Sequence, residues 1–227
     1  MIYNNIYPGE FISRPNRFIA NVNIDGRPEV CHVKNTGRCR ELLIPGAPVY
    51  VQRSERQERK TKYDLISVYK GDMLINIDSQ APNRVFGEWA GGGYFGAPSL
   101  IRPECRYKNS RFDFYIETAG RKIFVEVKGV TLEENGTLLF PDAPTERGVK
   151  HIHELCDAVS AGYEAYIFFI AQMERAELFR PNRRTHPEFA DALLHASKSG
   201  VNVACLNCRV TPDTLEIIDF IKIEVEE

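Results

Sequence analysis

Apolar and polar residues alternate most regularly between Ser110 and Lys128, SRFDFYIETAGRKIFVEVK. The pattern predicts a β-hairpin, two extended runs joined by a turn at Thr118-Ala119-Gly120. With the turn centred on Ala119-Gly120, Phe112, Phe114 and Ile116 face Val127, Val125 and Ile123, which puts six apolar residues on one side. The other side pairs Arg111 with Lys128, Asp113 with Glu126, Tyr115 with Phe124 and Glu117 with Lys122. Aromatic and opposite-charge pairs stabilise neighbouring strands. Asp113 opposite Glu126 does not, because two facing carboxylates with Cβ atoms about 5 Å apart repel. A metal cation would turn that repulsion into binding. Lys128 lies on the same face as Glu126.

Periodicity also divides the rest of the chain. Residues 1–80 read as short strands separated by turns. Residues 18–24 and 29–33 flank an Asp25-Gly26 turn, residues 49–51 follow Pro45-Gly46-Ala47-Pro48, and residues 63–69 and 73–77 flank Lys70-Gly71-Asp72. Five or so strands without a long helix predict a small barrel or sandwich, and the OB-like barrel is the well-known nucleic-acid-binding version. The character of the sequence changes at Ala81-Pro82-Asn83, so the expected domains are 1–80 and 81–227. Beyond that point Asn83 is expected to cap a short helix over 84–90, followed by a strand over 98–107 that carries Glu104. Residues 131–139 read as an extended or irregular segment with an Asn135-Gly136 turn. Pro144 suits a helix start, Thr145 or Asp142 can cap it, and Val149, Ile152, His153, Cys156 and Val159 recur at helical spacing as far as residue 160. The wholly apolar run 166–170 predicts a central buried strand, residues 187–199 a helix ended by Gly200, and residues 201–206 another strand. Helices alternating with strands predict an α/β domain behind the all-β N-terminal part.

Composition narrows the function classes. Of 227 residues, 43% are hydrophobic and 26% charged, as in an ordinary soluble domain. No apolar run approaches the roughly 18–20 residues of a membrane span, and the N-terminus lacks a basic stretch followed by an apolar one. A cytoplasmic protein without a membrane partner is therefore expected. The net charge of −2 gives no global attraction to nucleic acid, but residues 1–80 carry 12 Lys or Arg against 9 Asp or Glu, so a local basic face on that half is open. The turn Asn35-Thr36-Gly37-Arg38, with Arg40 just beyond, is either a polar cap on the barrel or a phosphate or base contact. The six cysteines are scattered, and Cys205-Leu-Asn-Cys208 has metal-like spacing but no second pair, so reduced thiols are expected.

Asp113 with Glu126-Val127-Lys128 on adjacent strands of an α/β core has the composition of a divalent-metal phosphodiesterase site. Mg²⁺ takes one or two carboxylates, keeps waters and draws its remaining ligands from a substrate phosphate. Lys128 could hold an attacking water or steady developing charge. Glu104 and Glu88 could add ligands. The same residues could equally form a solvated strand face on which Lys128 balances two acids.

Four segments in order, His32–Gly37, Ser110–Phe114, Val125–Leu132 and Phe140–His151, resemble the signature blocks of the sugar fermentation stimulation protein A (SfsA) family. The similarity runs on through His186-Pro187-Glu188-Phe189-Ala190 and Gly200-Val201. The resemblance implies an N-terminal OB-like domain and a C-terminal domain like the PD-(D/E)xK nucleases, in a family usually described as DNA-binding and linked to the regulation of sugar metabolism. By position it makes Asp113 the nuclease-like acid and Glu126 and Lys128 the E-x-K element, with Glu104 a third ligand and Mg²⁺ or Mn²⁺ the expected ion. Phe112 stands where the nuclease group has proline, and Val33-Lys34 where a small residue or cysteine followed by proline is expected. Arg147, Lys150 and His151 open the helix after the E-x-K strand. Together with Arg38, Arg40 and Arg111 they are the residues expected to meet DNA. A metal-dependent nuclease and a non-catalytic DNA-binding regulator both remain open, as does a homodimer.

Overall fold

The computed structural model describes residues 1–35, 37, 39–56 and 58–226. The N-terminal part contains β1 (Ile6–Asn16), β2 (Ile19–Ile24), β3 (Arg27–Val33), β4 (Pro48–Arg53), β5 (Tyr63–Lys70) and β6 (Met73–Asn76). They pair in the order β3-β2-β1-β4-β5-β6, and a parallel pairing of β3 with β5, from Cys31↔Tyr63 to Val33↔Leu65, closes the barrel. Val22, Cys31, Val51, Leu65 and Val68 fill it and are fully buried. This is the expected OB-type barrel.

The sequence pattern missed β1. It contains Pro8 and Pro15, which argue against a central strand because proline cannot donate to the ladder. The chain resolves this by splitting the strand. Residues 6–10 pair with β4 and residues 10–16 with β2, with irregular register around Ser13, so neither proline lies between two ladders.

The second part contains α1 (Ala81–Trp89), β7 (Leu100–Tyr107), β8 (Ser110–Thr118), β9 (Arg121–Val130), β10 (Glu133–Glu134), β11 (Thr137–Phe140) and α2 (Glu146–Ser160). It continues with β12 (Glu164–Ala171), β13 (Leu178–Pro181), α3 (Pro187–Lys198), β14 (Asn202–Val210) and β15 (Leu215–Ile223). Its sheet runs β10-β11-β13-β15-β14-β12-β9-β8-β7, with β9, β12 and β14 parallel at the centre. Helix α1 covers one face, where the Phe86 ring lies 5.1 Å from Phe114 and 4.9 Å from Phe168. On the other face Ile152 and Leu155 of α2 and Phe189 of α3 join Phe124 and Phe169 in a second core. Strands β9 and β12 are thus buried on both faces, which explains their long apolar runs. Full burial of each phenylalanine stabilises the fold by about 1.5–3 kcal/mol.

Helix ends differ from expectation in one informative place. Thr145 caps α2 as predicted, its hydroxyl accepting the Gly148 N–H at 3.1 Å. Helix α1 begins earlier than the pattern indicates, at Ala81 after Gln80, with Pro82 in its first turn. Asn83 is therefore inside the helix and its side chain is released for another partner. Cys205 and Cys208 are both buried, but they lie in the cores on opposite faces of the sheet, so they do not converge on one ion.

A buried polar cluster joins the two parts. Gln172 Nε2 donates to Asn76 Oδ1 and to the Asp78 carbonyl, both at 3.0 Å. Asn76 Nδ2 donates to the Tyr3 hydroxyl at 3.0 Å, and Lys34 Nζ to Asp78 Oδ2 at 3.0 Å. Among the described residues no helix is long and apolar enough to cross a membrane.

Candidate active site

The β8–β9 hairpin turns at Ala119 (φ 44°) and Gly120 (φ 80°), both left-handed, as a two-residue hairpin turn requires. Its ladder runs Thr118↔Arg121, Glu117↔Lys122, Ile116↔Ile123, Tyr115↔Phe124 and Phe114↔Val125, the register expected from the alternation. Regular pairing stops there, one step short of Asp113 and Glu126. Asp113 Oδ2 instead accepts the Val127 N–H at 2.8 Å, so the carboxylate takes the place of a ladder carbonyl. The β7–β8 ladder skips the same point, between Pro103↔Phe114 and Cys105↔Phe112, where Glu104 has a positive φ of 52°.

This irregularity corrects the expected six-residue apolar face. Phe114, Ile116, Ile123, Val125 and Val127 do share a core with Phe86 of α1. Phe112 does not. Beyond the break it lies on the α2 side, its ring 5.3 Å from Phe124 and 6.3 Å from the His151 imidazole.

The opposite face is no solvated charged surface. Helix α2 covers it, leaving Glu126 2% exposed and His151 5% exposed. Glu126 Oε1 receives Lys128 Nζ at 2.5 Å and faces His151 Nδ1 at 2.5 Å. Glu126 Oε2 is buried with no hydrogen-bond partner among the described residues. Burial works to raise the Glu126 carboxyl, but the His151 hydrogen bond and the Lys128 charge outweigh it and hold the group below the usual carboxylate range. Asp113 goes the other way. Burial and the Glu126 charge push its carboxyl upward against the Val127 N–H, the Lys128 charge and a 2.8 Å bond from Asn83 Nδ2 to Oδ1.

Asp113, Glu126 and Lys128 thus come together, with Asn83 and His151 as fixed supports. Asn83 escaped the sequence reading because an asparagine at a helix start signals a cap, and only the earlier start of α1 frees it. His151 was expected to meet phosphate, yet it is buried against Glu126. Glu104 does not join the acids. It is exposed and pairs with Arg111 at 3.2 Å, which engages that arginine too. Glu88 lies 2.8 Å from the Met1 amino group. Arg147 is exposed, its Nε 3.4 Å from His151 Nε2, and Lys150 is exposed 3.9 Å from Glu154. Arg40 is exposed on the barrel, and Arg38 lies outside the described residues.

The donor set suits a hard cation with few protein ligands. Among the described residues no three His, Cys, Asp or Glu side chains are grouped to enclose a metal. Mg²⁺ needs only one or two carboxylates. Glu126 Oε2 is an unpartnered buried oxygen beside a carboxylate whose pKa is raised, an arrangement that a divalent cation between Asp113 and Glu126 would satisfy.

Comparison with known proteins follows the same division. Residues 12–77 match the family model described as the SfsA N-terminal OB domain, and residues 80–214 match the Sugar fermentation stimulation protein RE domain. A sugar fermentation stimulation protein homolog of Desulfitobacterium hafniense is 60% identical over 227 residues, all of both chains. One from Clostridium beijerinckii is 56% identical over 224 residues, 98% of this chain and 99% of that one. The solved structure of Pyrococcus furiosus SfsA in complex with Ca²⁺ superposes with a TM-score of 0.87 at 28% identity, covering 99% of this chain and 98% of that one. With both family models matched in order and relatives aligned from end to end, this chain belongs to the sugar fermentation stimulation protein (SfsA) family.

Proposed function

We propose that this chain is a cytoplasmic DNA-binding protein whose second domain, from residue 81 onward, hydrolyses phosphodiester bonds with a divalent metal at Asp113, Glu126 and Lys128. The observation that carries this reading is the buried Glu126 carboxylate, with one oxygen held by Lys128 and His151 and the other without a partner among the described residues. An unmet buried acceptor costs about 1–3 kcal/mol, a cost that a cation on Glu126 Oε2 would offset.

Asp113 and Glu126 are the residues that would hold the ion, and Mg²⁺ or Mn²⁺ fits their hard oxygen donors. Bound there, the metal would polarise a phosphoryl oxygen and lower the pKa of a coordinated water. A relative solved with Ca²⁺ supports a divalent site in this family. The chain's own groups have separable tasks. Asn83 and the Val127 N–H aim Asp113. His151 fixes Glu126 from the α2 side. The Lys128 side chain is 18% exposed, so it can reach a substrate phosphate or attacking water while staying on Glu126 Oε1. Arg147, exposed at the start of α2, is placed to meet the phosphate backbone.

The test is cleavage of labelled single- and double-stranded DNA with Mg²⁺ or Mn²⁺. Wild type should cut at least one substrate and stop cutting in EDTA, and Asp113→Ala and Lys128→Ala should each lose about 10²-fold or more in rate. A wild type that binds DNA but leaves every substrate intact would instead make the chain a binding-only regulator.

A further inference from the structure

A cavity on the barrel lies apart from the carboxylates and is not used by the chemistry above. It has a volume of about 430 Å³ and lies against the second half of β1. Phe11 and Leu43, both buried, face into it, and Pro45, Arg17 and Arg40 stand around its mouth. Arg17 lies 4.8 Å over the ring of Phe18, itself an exposed aromatic. Arg40 has no carboxylate partner among the described residues. The volume is that of a small-ligand pocket rather than a backbone groove.

Through Gly37 this cavity adjoins the side of the molecule that carries the candidate active site. Gly37 borders it, and Arg14 holds the adjoining turn by donating to the carbonyls of Gly37 (2.8 Å) and Asn35 (2.7 Å). A Cβ on Gly37 would stand 2.7 Å from Asp142 Oδ2, so the turn is seated directly against the loop that leads into α2. Asn35 and Asp142 then border a second, polar cleft of about 110 Å³, which reaches Gly129, the residue after Lys128.

We infer that the cavity takes an unstacked nucleobase, and that the strand carrying it runs past Asn35 and Asp142 to the Asp113–Glu126–Lys128 site, so that the preferred partner is single-stranded rather than duplex nucleic acid. This rests on the nucleic-acid reading above and specifies its substrate. The arginines complement phosphates on either side of a base. The apolar interior does not complement a duplex, which shows a protein surface its charged backbone and keeps its base faces stacked. A single strand can lay a flat apolar ring against the exposed Ile12 and Pro45, over the buried Phe11 and Leu43, while its phosphates meet Arg17 and Arg40.

The experiment is fluorescence anisotropy in EDTA, with a short labelled single strand and the duplex of the same sequence. The single strand should bind about tenfold or more tighter. The double variant Arg17→Gln/Arg40→Gln should weaken single-strand binding about tenfold and flatten its salt dependence by about 1.4 log units per log unit of salt, the loss of two phosphate contacts. A charge-matched control, Arg209→Gln/Lys122→Gln, should do neither. Duplex binding as tight as single-strand binding overturns the inference. So does a double variant no weaker than the control, or equal displacement by poly-glutamate, which would indicate an acidic protein partner. Photo-crosslinking of wild type with a 5-iodouracil single strand keeps the test independent of variant folding. Adducts should fall on the segment from Ile12 to Phe18, and adducts only elsewhere overturn the pocket. Because binding is read without metal, loss of the hydrolase reading leaves this result standing, and cleavage that survives the double variant with unchanged binding removes only the pocket.

Discussion

Replacing the two acids by their amides should move stability in opposite directions. Both carboxylates are buried on adjacent strands, but Glu126 Oε1 has the Lys128 ammonium and His151 Nδ1 on it, whereas Asp113 is held by the neutral N–H groups of Val127 and Asn83. The Glu126 charge acts on the buried Asp113 carboxylate, and two like charges about 5 Å apart repel by about 3 kcal/mol at an effective dielectric near 20. Asp113→Asn removes that repulsion. It also weakens the attraction to Lys128 and turns the charge-assisted bond from Val127 into an ordinary one, a loss of about 1 kcal/mol. The remainder is a gain of about 1 kcal/mol, or about 2–4 °C in Tm for a chain of this size. Glu126→Gln strands Lys128 and His151 without their acceptor charge and should cost about 3 kcal/mol, roughly 6–12 °C. The pH dependence separates them again. The raised Asp113 pKa means its cost grows as pH rises from about 3.9 through the folded value, so the advantage of Asp113→Asn should fade on acidification. The lowered Glu126 pKa means its contribution is complete above about 4.3 and is lost as pH falls through the folded value. The assay is thermal denaturation of metal-free wild type and both variants between pH 4 and 8, repeated with Mg²⁺, which should raise the Tm of wild type alone. Destabilisation by Asp113→Asn at neutral pH, or a Glu126→Gln protein as stable as wild type, would refute this electrostatic account of the site.

Three further outcomes follow from the same geometry. Asn83→Ala removes the side-chain donor to Asp113 Oδ1 and should weaken metal affinity about 10–100-fold with little change in Tm, read by calorimetric Mn²⁺ titration. Gly37→Ala forces its new methyl against Asp142 and Asn35 and should cost about 1–3 kcal/mol, seen as faster amide hydrogen exchange in β3 and in the residues preceding α2. In the barrel, burial works to raise Asp64, but Arg59, which binds both its oxygens, and Lys34 hold its carboxyl low. Its contribution is therefore complete above about pH 3.9 and lost as pH falls through the depressed folded value, and Asp64→Asn should cost about 3 kcal/mol at pH 7 but far less in an acid melt.

Local chemistry and tertiary context divide what could be read in advance. The hairpin register was legible because two constraints agree: Ala119-Gly120 accepts left-handed backbone, and five alternating apolar residues lose their core if the pairing slips by one. The barrel was legible from its turns, except for β1, whose prolines are tolerated only because its two halves pair with different partners. At the site, the anomaly of two facing acids was visible in the sequence, but its resolution was not. Strict alternation places Phe112 with Phe114 and Glu104 one strand away from Asp113. Both placements fail at one backbone event, the break at Asp113 and Glu104 where the Asp113 carboxylate captures the Val127 N–H. A carboxylate that replaces a ladder carbonyl leaves no periodic trace. Nor does the burial of Glu126, since a strand glutamate reads as solvent-facing until a helix is laid across it. The histidine that makes this burial tolerable lies 25 residues later in the chain. Periodicity finds the elements, but a paired buried charge depends on two elements meeting. The residues most specific to this site, Asn83 and His151, are for that reason the ones whose partners only the fold supplies.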